Sequence, residues 1–442
     1  MKTNLLLLLF LLPGIAVQGQ DMTVKAEKKL NFVQLCSEYS YLMLEPVQDL
    51  RKIDVLQSAR KKGLLQKGNL YVGASVISLV DYQQSNTDSK FGYLMRHPTA
   101  SNQIGKTVSE AVIHSAQLGL TGVINNWLAA HLEILYDPQQ SFGAGTITTL
   151  TRNQLQLRKG YVLIGNPEKF PVYGAIGKMD APFGLTGSVN PFTNSTLWHA
   201  FGGLGYGALV RFNKYGINAS FMAVQGGAQF RALHTPVEGT NIPSRLNNFV
   251  ADLNYTIRFT DRINLLVGAS YLHGSTYCQG FPVFHFMPCE DNNPASTFYG
   301  KLNYKNKLIL KGGYAITGDV WPGTFNPTPP LNEFAASKVS SMEAGLKFII
   351  NPAGKVVYSL SGEFSNFVAG PDGAPWERQT QTVIGFSGLV NHSSKLFFEF
   401  FRTTGYAPLN FISGGSSEDL SVTHSDADAN SFGLVLGALL TI

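Results

Sequence analysis

Asn248–Phe259 reads NFVADLNYTIRF. Phe249, Ala251, Leu253, Tyr255, Ile257 and Phe259 fall on one face, and Asn248, Asp252, Asn254, Thr256 and Arg258 fall on the other. A nearly unbroken period of two describes a strand with one apolar and one wet face. The split recurs where Phe298, Gly300, Leu302 and Tyr304 oppose Tyr299, Lys301, Asn303 and Lys305. It recurs again where Met342, Ala344, Leu346, Phe348 and Ile350 oppose Ser341, Glu343 and Lys347. Phe432, Leu434, Leu436, Ala438, Leu440 and Ile442 form a further uncharged face. A lysine or arginine facing lipid at mid-bilayer costs about 2–4 kcal/mol. These faces carry none.

From about Leu70 onward such segments alternate with connections of two kinds. Seven are short: 125–126, 166–171, 213–216, 259–262, 305–306, 351–355 and 391–395, rich in Asn, Pro, Gly and Asp as tight turns require. Eight are long: 82–110, 137–153, 181–202, 229–246, 275–295, 318–339, 366–377 and 404–429. Interleaved, they predict an all-β, sixteen-stranded antiparallel transmembrane barrel with short periplasmic turns and long extracellular loops. Phe212, Phe259, Tyr304 and Phe348 would form its periplasmic girdle. A soluble β-sandwich also alternates, but the strand lengths and the regular exchange of short and long connections favour the barrel. Composition agrees. Charged residues make up only 14% of the chain, against roughly 25% in soluble proteins, and after the first residues no apolar run is long enough for a membrane helix.

The chain begins MKTNLLLLLFLLPGIAVQGQ, with a lysine, an apolar run from Leu5 to Val17 and small residues before Gln20. This reads as a signal peptide over 1–19. Residues 20–68 lack the alternation, are rich in lysine and contain KIDVLQSARKKGLLQ, so they read as a partly helical periplasmic segment. Such a segment either touches peptidoglycan, plugs the inner mouth, or is simply a helix and linker. The barrel then occupies 69–442. Of three cysteines, Cys278 and Cys289 bracket the loop-like CQGFPVFHFMPC, which in an oxidising compartment suggests a local disulfide and leaves Cys36 over. No His/Cys cluster has metal-ligand spacing, and no cofactor is expected.

Sixteen strands enclose an aqueous channel whose selectivity follows from lumen charge and from any inward-folded loop. Alternation places Arg158, Lys178, Arg211, Arg258, Lys301, Lys305, Lys311 and Lys347 on the lumen face, against Glu133, Asp180, Asp252, Glu343, Glu363 and Glu399. The balance is mildly cationic and favours anions. Each residue taken alone reads as a wall residue paired across strands. Enzymatic chemistry has no support, since no G-x-S-x-G elbow is present and His131 beside Glu133 reads as a polar wall residue. Basic residues alternate with apolar ones and form no patch for nucleic acid. The glycines of GAIGKMDAPFG (174–184) resemble a phosphate loop at first sight, but Met179 stands where a hydroxyl residue is needed. The stretch reads instead as the fifth spanning strand entering the third long loop. There Lys178 and Asp180 face the lumen, Met179 faces lipid, and the loop is a candidate constriction.

VYGAIGKMDAPFG (172–184), followed by NPFTNSTLWHAFG (190–202), resembles the corresponding part of LbtU-type siderophore porins. The resemblance implies an integral outer-membrane barrel that admits an iron-loaded siderophore, in the best-known cases a polycarboxylate. As for general porins of this size, a homo-oligomer is compatible. A different class of function also fits: a closed structural or adhesive barrel whose loop aromatics (Phe281, Phe284, Phe286, Trp321, Phe325 and Trp376) bind a partner.

Overall fold

Hairpin geometry organises the molecule. In the computed structural model, the described residues are 32–46, 51–92, 105–137, 154–185, 187–225, 246–278, 280–281, 291–408, 412–414 and 419–442. They belong to one unit, Phe32–Ile442. The expected signal peptide lies outside them. A short strand β1 (Val33–Leu35) and helices α1 (Ser37–Leu44) and α2 (Lys52–Lys61) come first. The long strands follow: β2 (Asn69–Ser85), β3 (Thr107–Val123), β4 (Leu128–Asp137), β5 (Gln154–Ile164), β6 (Val172–Asp180) and β7 (Leu204–Lys214). Then come β8 (Ile217–Gln225), β9 (Leu246–Thr260), β10 (Ile263–Leu272), β11 (Ala295–Tyr304) and β12 (Leu308–Thr317). The last are β13 (Ser340–Ile350), β14 (Val356–Val368), β15 (Arg378–Val390), β16 (Ser394–Tyr406) and β17 (Asp426–Thr441). A helix α3 (Thr196–Phe201) lies in the connection between β6 and β7.

Each long strand pairs antiparallel with the next, and β17 pairs back onto β2 from Ser431↔Ser85 to Thr441↔Ser75. The result is a closed sixteen-stranded barrel, in which each of these sixteen strands is paired on both sides. Below the β17 ladder, β1 takes over the same side of β2 and pairs parallel with Leu70–Val72. All seven expected short turns join consecutive strands. Three of them carry two successive residues at positive φ: Tyr215-Gly216, Lys305-Asn306 and Asn391-His392. That conformation matches the right-handed twist of the flanking strands.

The outer face is apolar. Phe298 is 66% exposed, and Leu436 and Ile442 are 60% exposed. Water alone would disfavour such a belt at about 25 cal/mol per Å², and lipid removes the cost. The girdle aromatics Phe259, Tyr304 and Phe348 are exposed at the short-turn end of this face. Such a belt is the outward face of a barrel built to sit in a bilayer.

The interior is not lined by polar residues alone. Tyr39, Met43, Ile53 and Leu56 of the two helices join Tyr161, Ala175, Met179 and Leu209 of the wall and Phe183, Leu197 and Phe201 of the β6–β7 loop in one buried cluster. Met179 was expected to face lipid. It is buried among these interior residues instead, because it shares strand parity with the inward Tyr173 and Ala175, while Lys178, expected on the lumen face, has the parity of Ile176, which is 59% exposed. A Cβ at Gly177 would lie 2.2 Å from the Gly160 carbonyl oxygen, so only glycine fits there. Lys305 is a second correction. It occupies the β11–β12 turn at φ +54°, exposed, with its ammonium 5.0 Å from the Tyr304 ring centre, rather than a lumen position.

Candidate functional site

Two bodies stand inside the wall. The first is the β6–β7 loop, which crosses from its own strands to β12–β16 opposite. Three inward carboxylates receive it. Glu363 accepts from the Ser188 hydroxyl at 2.8 Å, the Val189 N–H at 3.2 Å and the Asn190 amide at 3.2 Å. Glu399 accepts the Phe192 and Thr193 N–H groups at 2.7 and 3.1 Å and also takes the Thr193 hydroxyl. Glu343 takes the Ser195 hydroxyl and pairs with Lys311 at 2.7 Å. Two lysines act on loop carbonyls, Lys311 on Gly187 and Lys395 on Pro191. Phe192 stacks on Phe397 of β16 with ring centres 5.1 Å apart. Ser195 caps α3 by accepting the Trp198 N–H at 3.2 Å. The loop is therefore bound to the far wall by buried, charge-assisted hydrogen bonds, each worth about 1.5–3 kcal/mol.

The second body is the helix pair. In α2, Ile53, Leu56 and Ala59 recur at helical spacing and are buried, while Ser58 and Lys61 are exposed. Its N-terminal end is fixed by charge. Arg51 reaches Asp252 of β9 at 2.8 Å, and Asp54 pairs with Arg211 of β7 at 2.6 Å and accepts the Tyr173 hydroxyl. At the other end Arg60 donates to the Asn126 carbonyl in the β3–β4 turn at 2.7 Å. In α1, the Tyr39 hydroxyl meets Thr121 at 3.0 Å, and Glu45 pairs with Lys395 at 2.7 Å. Lys52 joins the helices by donating to the Leu42 and Glu45 carbonyls, both at 2.6 Å. Burial, helped by the nearby Lys159, pushes the Lys52 ammonium down to about 7. The segment that the sequence leaves between a free tail and a plug lies against the lumen wall along both helices.

Between these bodies and the short-turn end of β11–β16 lies a cavity of about 350 Å³. Lys301, Lys311, Lys347 and Lys395 line it together with Glu45, and Ile309, Ile349, Val357 and Leu389 supply aliphatic surface. Ser188, Val189 and Asn190 border it from the loop and Tyr41 and Leu42 from α1. Lys301 and Lys311 are directly opposed across β11 and β12.

The structure divides the sequence-predicted cations. Lys301, Lys311 and Lys347 meet at this cavity. Arg158 pairs with Glu133 at 3.2 Å on another part of the wall. Asp180 pairs with Lys159 at 2.7 Å. Lys178 donates to the Leu157 carbonyl at 2.8 Å and lies 5.7 Å from the Tyr206 ring centre. Arg211 holds α2 through Asp54, and Arg258 is exposed near the β9–β10 turn rather than in the lumen. Two lumen lysines were missed. Lys159 turns inward because the β4–β5 register slips between Glu133 and Ile134, and a bulge leaves no mark in a period-two pattern. Lys395 was read into a turn, although it shares parity with the inward Glu399.

Of the loop aromatics, Trp321 and Trp376 are wholly buried and unavailable to a surface partner, while Phe325 is exposed. Phe284 and Phe286 lie outside the described residues. Cys278 is disulfide-bonded and Cys36 is a free thiol, whereas Cys289, the expected partner of Cys278, lies outside the described residues. Among the described residues no group of His, Cys, Asp and Glu is arranged to hold a metal.

No family model matches the sequence. A UPF0422 protein of Coxiella burnetii is 24% identical over 190 residues, which is 42% of this chain and 36% of that protein. The chain thus spans about a third of the length of that curated relative. Among solved structures, Pseudomonas putida OprB superposes with a TM-score of 0.50 at 8% identity over 84% of this chain and 94% of its own. The anion-selective porin from Comamonas acidovorans gives 0.47 at 12% identity over 85% of this chain and 100% of its own. The channel DcaP of Acinetobacter baumannii gives 0.47 at 13%, over 85% and 99%. At these identities the likeness concerns the fold.

Proposed function

We propose that this protein is an outer-membrane channel for an anionic solute, narrowed by the β6–β7 loop and held closed by the N-terminal helices. The carrying observation is the gathering of Lys301, Lys311, Lys347 and Lys395 around one cavity beside that loop. Cations lining a narrow path raise the local concentration of anions and set selectivity. The finer reading, uptake of an iron-loaded polycarboxylate siderophore, draws its support from the resemblance of 172–184 and 190–202 to LbtU-type porins. A panel of purified ferric siderophores in iron-limited growth tests it, and uptake indifferent to deletion of the gene would remove it.

One observation favours a second reading, a closed barrel that binds a partner through its loops: the apolar cluster running from wall to helices to loop. Planar-bilayer recordings under a salt gradient separate the two. The channel reading expects an anion-selective reversal potential that moves toward zero when Lys301 and Lys347 are both changed to Gln. Absence of any current, from the full chain and from a chain without residues 32–66, would leave only the closed barrel.

A further inference from the structure

We infer that the lysine cavity is a binding site for a small dicarboxylate, held chiefly by Lys347. The inference deepens the anion-channel reading and rests on it for the route by which the ligand arrives.

Charge pairing around the cavity is incomplete. Lys311 is matched by Glu343 and Lys395 by Glu45, each at 2.7 Å. Lys347 lines the same space, and its side chain makes no hydrogen bond or ion pair among the described residues, although Glu45, Lys395 and Lys301 act on it through space. Its side chain points inward from β13, since its neighbours Leu346 and Phe348 are 46% exposed on the lipid face. An inward ammonium facing a partly apolar cavity calls for an acceptor, because water there competes poorly with an anion for a desolvated charge.

The class of anion follows from the rest of the lining. With other ammoniums on the same cavity, two carboxylates separated by a short carbon chain can each meet a cation. Lysine presents a compact point charge, suited to single carboxylate oxygens rather than to a planar fork. The aliphatic side chains offer a surface that a carbon chain fills and an inorganic ion does not. A volume of about 350 Å³ lies near the lower end of small-molecule sites, roughly 300–1,000 Å³, and suits a compact organic acid.

Isothermal titration of the full chain in detergent, with succinate as the probe, tests the assignment without any current being measured. One saturable equivalent is expected. Acetate should bind about tenfold more weakly or worse, and so should succinate to Lys347→Met, on the loss of one charge-assisted contact. Lys305→Met removes the same charge from the exposed turn and should change nothing. Lys347 forms no ion pair, and its acidic neighbour Glu45 keeps Lys395, so its replacement leaves the fold intact, which unchanged heat-modifiable migration would verify. Three results overturn the site: no saturable succinate binding, equal loss in both variants, or inorganic phosphate binding as tightly as succinate. Binding without anion selectivity would remove the channel reading and keep the site, and selectivity without binding would do the reverse.

Discussion

The two bodies inside the barrel are held by opposite arrangements. The β6–β7 loop is covalently continuous with the wall at both ends, and its neutral N–H and hydroxyl groups meet the fixed carboxylates Glu343, Glu363 and Glu399. The helix pair is followed by β2 and preceded by β1, which pairs with β2, and three of its polar ties are ion pairs in which the helical segment supplies one charge and the wall the other. Releasing the loop would strand buried carboxylates and still leave the loop threaded through the lumen. Releasing the helices would separate full charges and leave Asp252, Arg211 and Lys395 on the wall without their partners. The loop is thus a stretch of the barrel's own path between two strands, and the helices are a body that full charges hold against the wall.

The contrast can be broken most directly by deleting residues 32–66. Conductance should rise severalfold, since a sixteen-stranded barrel otherwise encloses an aqueous channel. Unchanged conductance would mean that the loop alone closes the path. Next in size is Arg51→Met, which leaves Asp252 buried without its cation. Breaking such a pair costs roughly 3–5 kcal/mol, part of which the Ser270 and Tyr299 hydroxyls on Asp252 recover. Limited proteolysis should then cut within α2 while the loop stays protected, and equal resistance of wild type and variant would show that packing, not charge, holds the helix. The smallest effect is expected for Glu399→Gln. It weakens three contacts to Phe192 and Thr193 by about 1.5–3 kcal/mol in all. Current noise should increase and helix protection should not change. A simultaneous loss of α2 protection would show that the two bodies are one cooperative unit.

Much of the wall could be read from the sequence because lipid imposes a strict rule on every other residue. Met342, Leu346, Phe348 and Ile350 follow it and are exposed as expected. The rule failed where the backbone departed from the pleat, at the β4–β5 bulge, and in β6, whose inward face is that of Tyr173, Ala175 and Met179 rather than of Lys178. It was silent about the lumen contents. Nothing local in Glu45 or Asp54 tells that their partners are Lys395 and Arg211, because an ion pair between distant segments has no periodicity. The candidate site was therefore half legible: three of its four lysines follow from parity, and its boundary with the loop and α1 does not.

The seam between β2 and β17 has a consequence at a distance. Glu45 and Lys395 are 350 positions apart, and the pair can form only when β16, the neighbour of the closing strand β17, stands in the wall. A docked α1 with this pair formed therefore reports that the second-to-last strand is in place beside it, so one contact near the start of the chain reads out the far end of the wall.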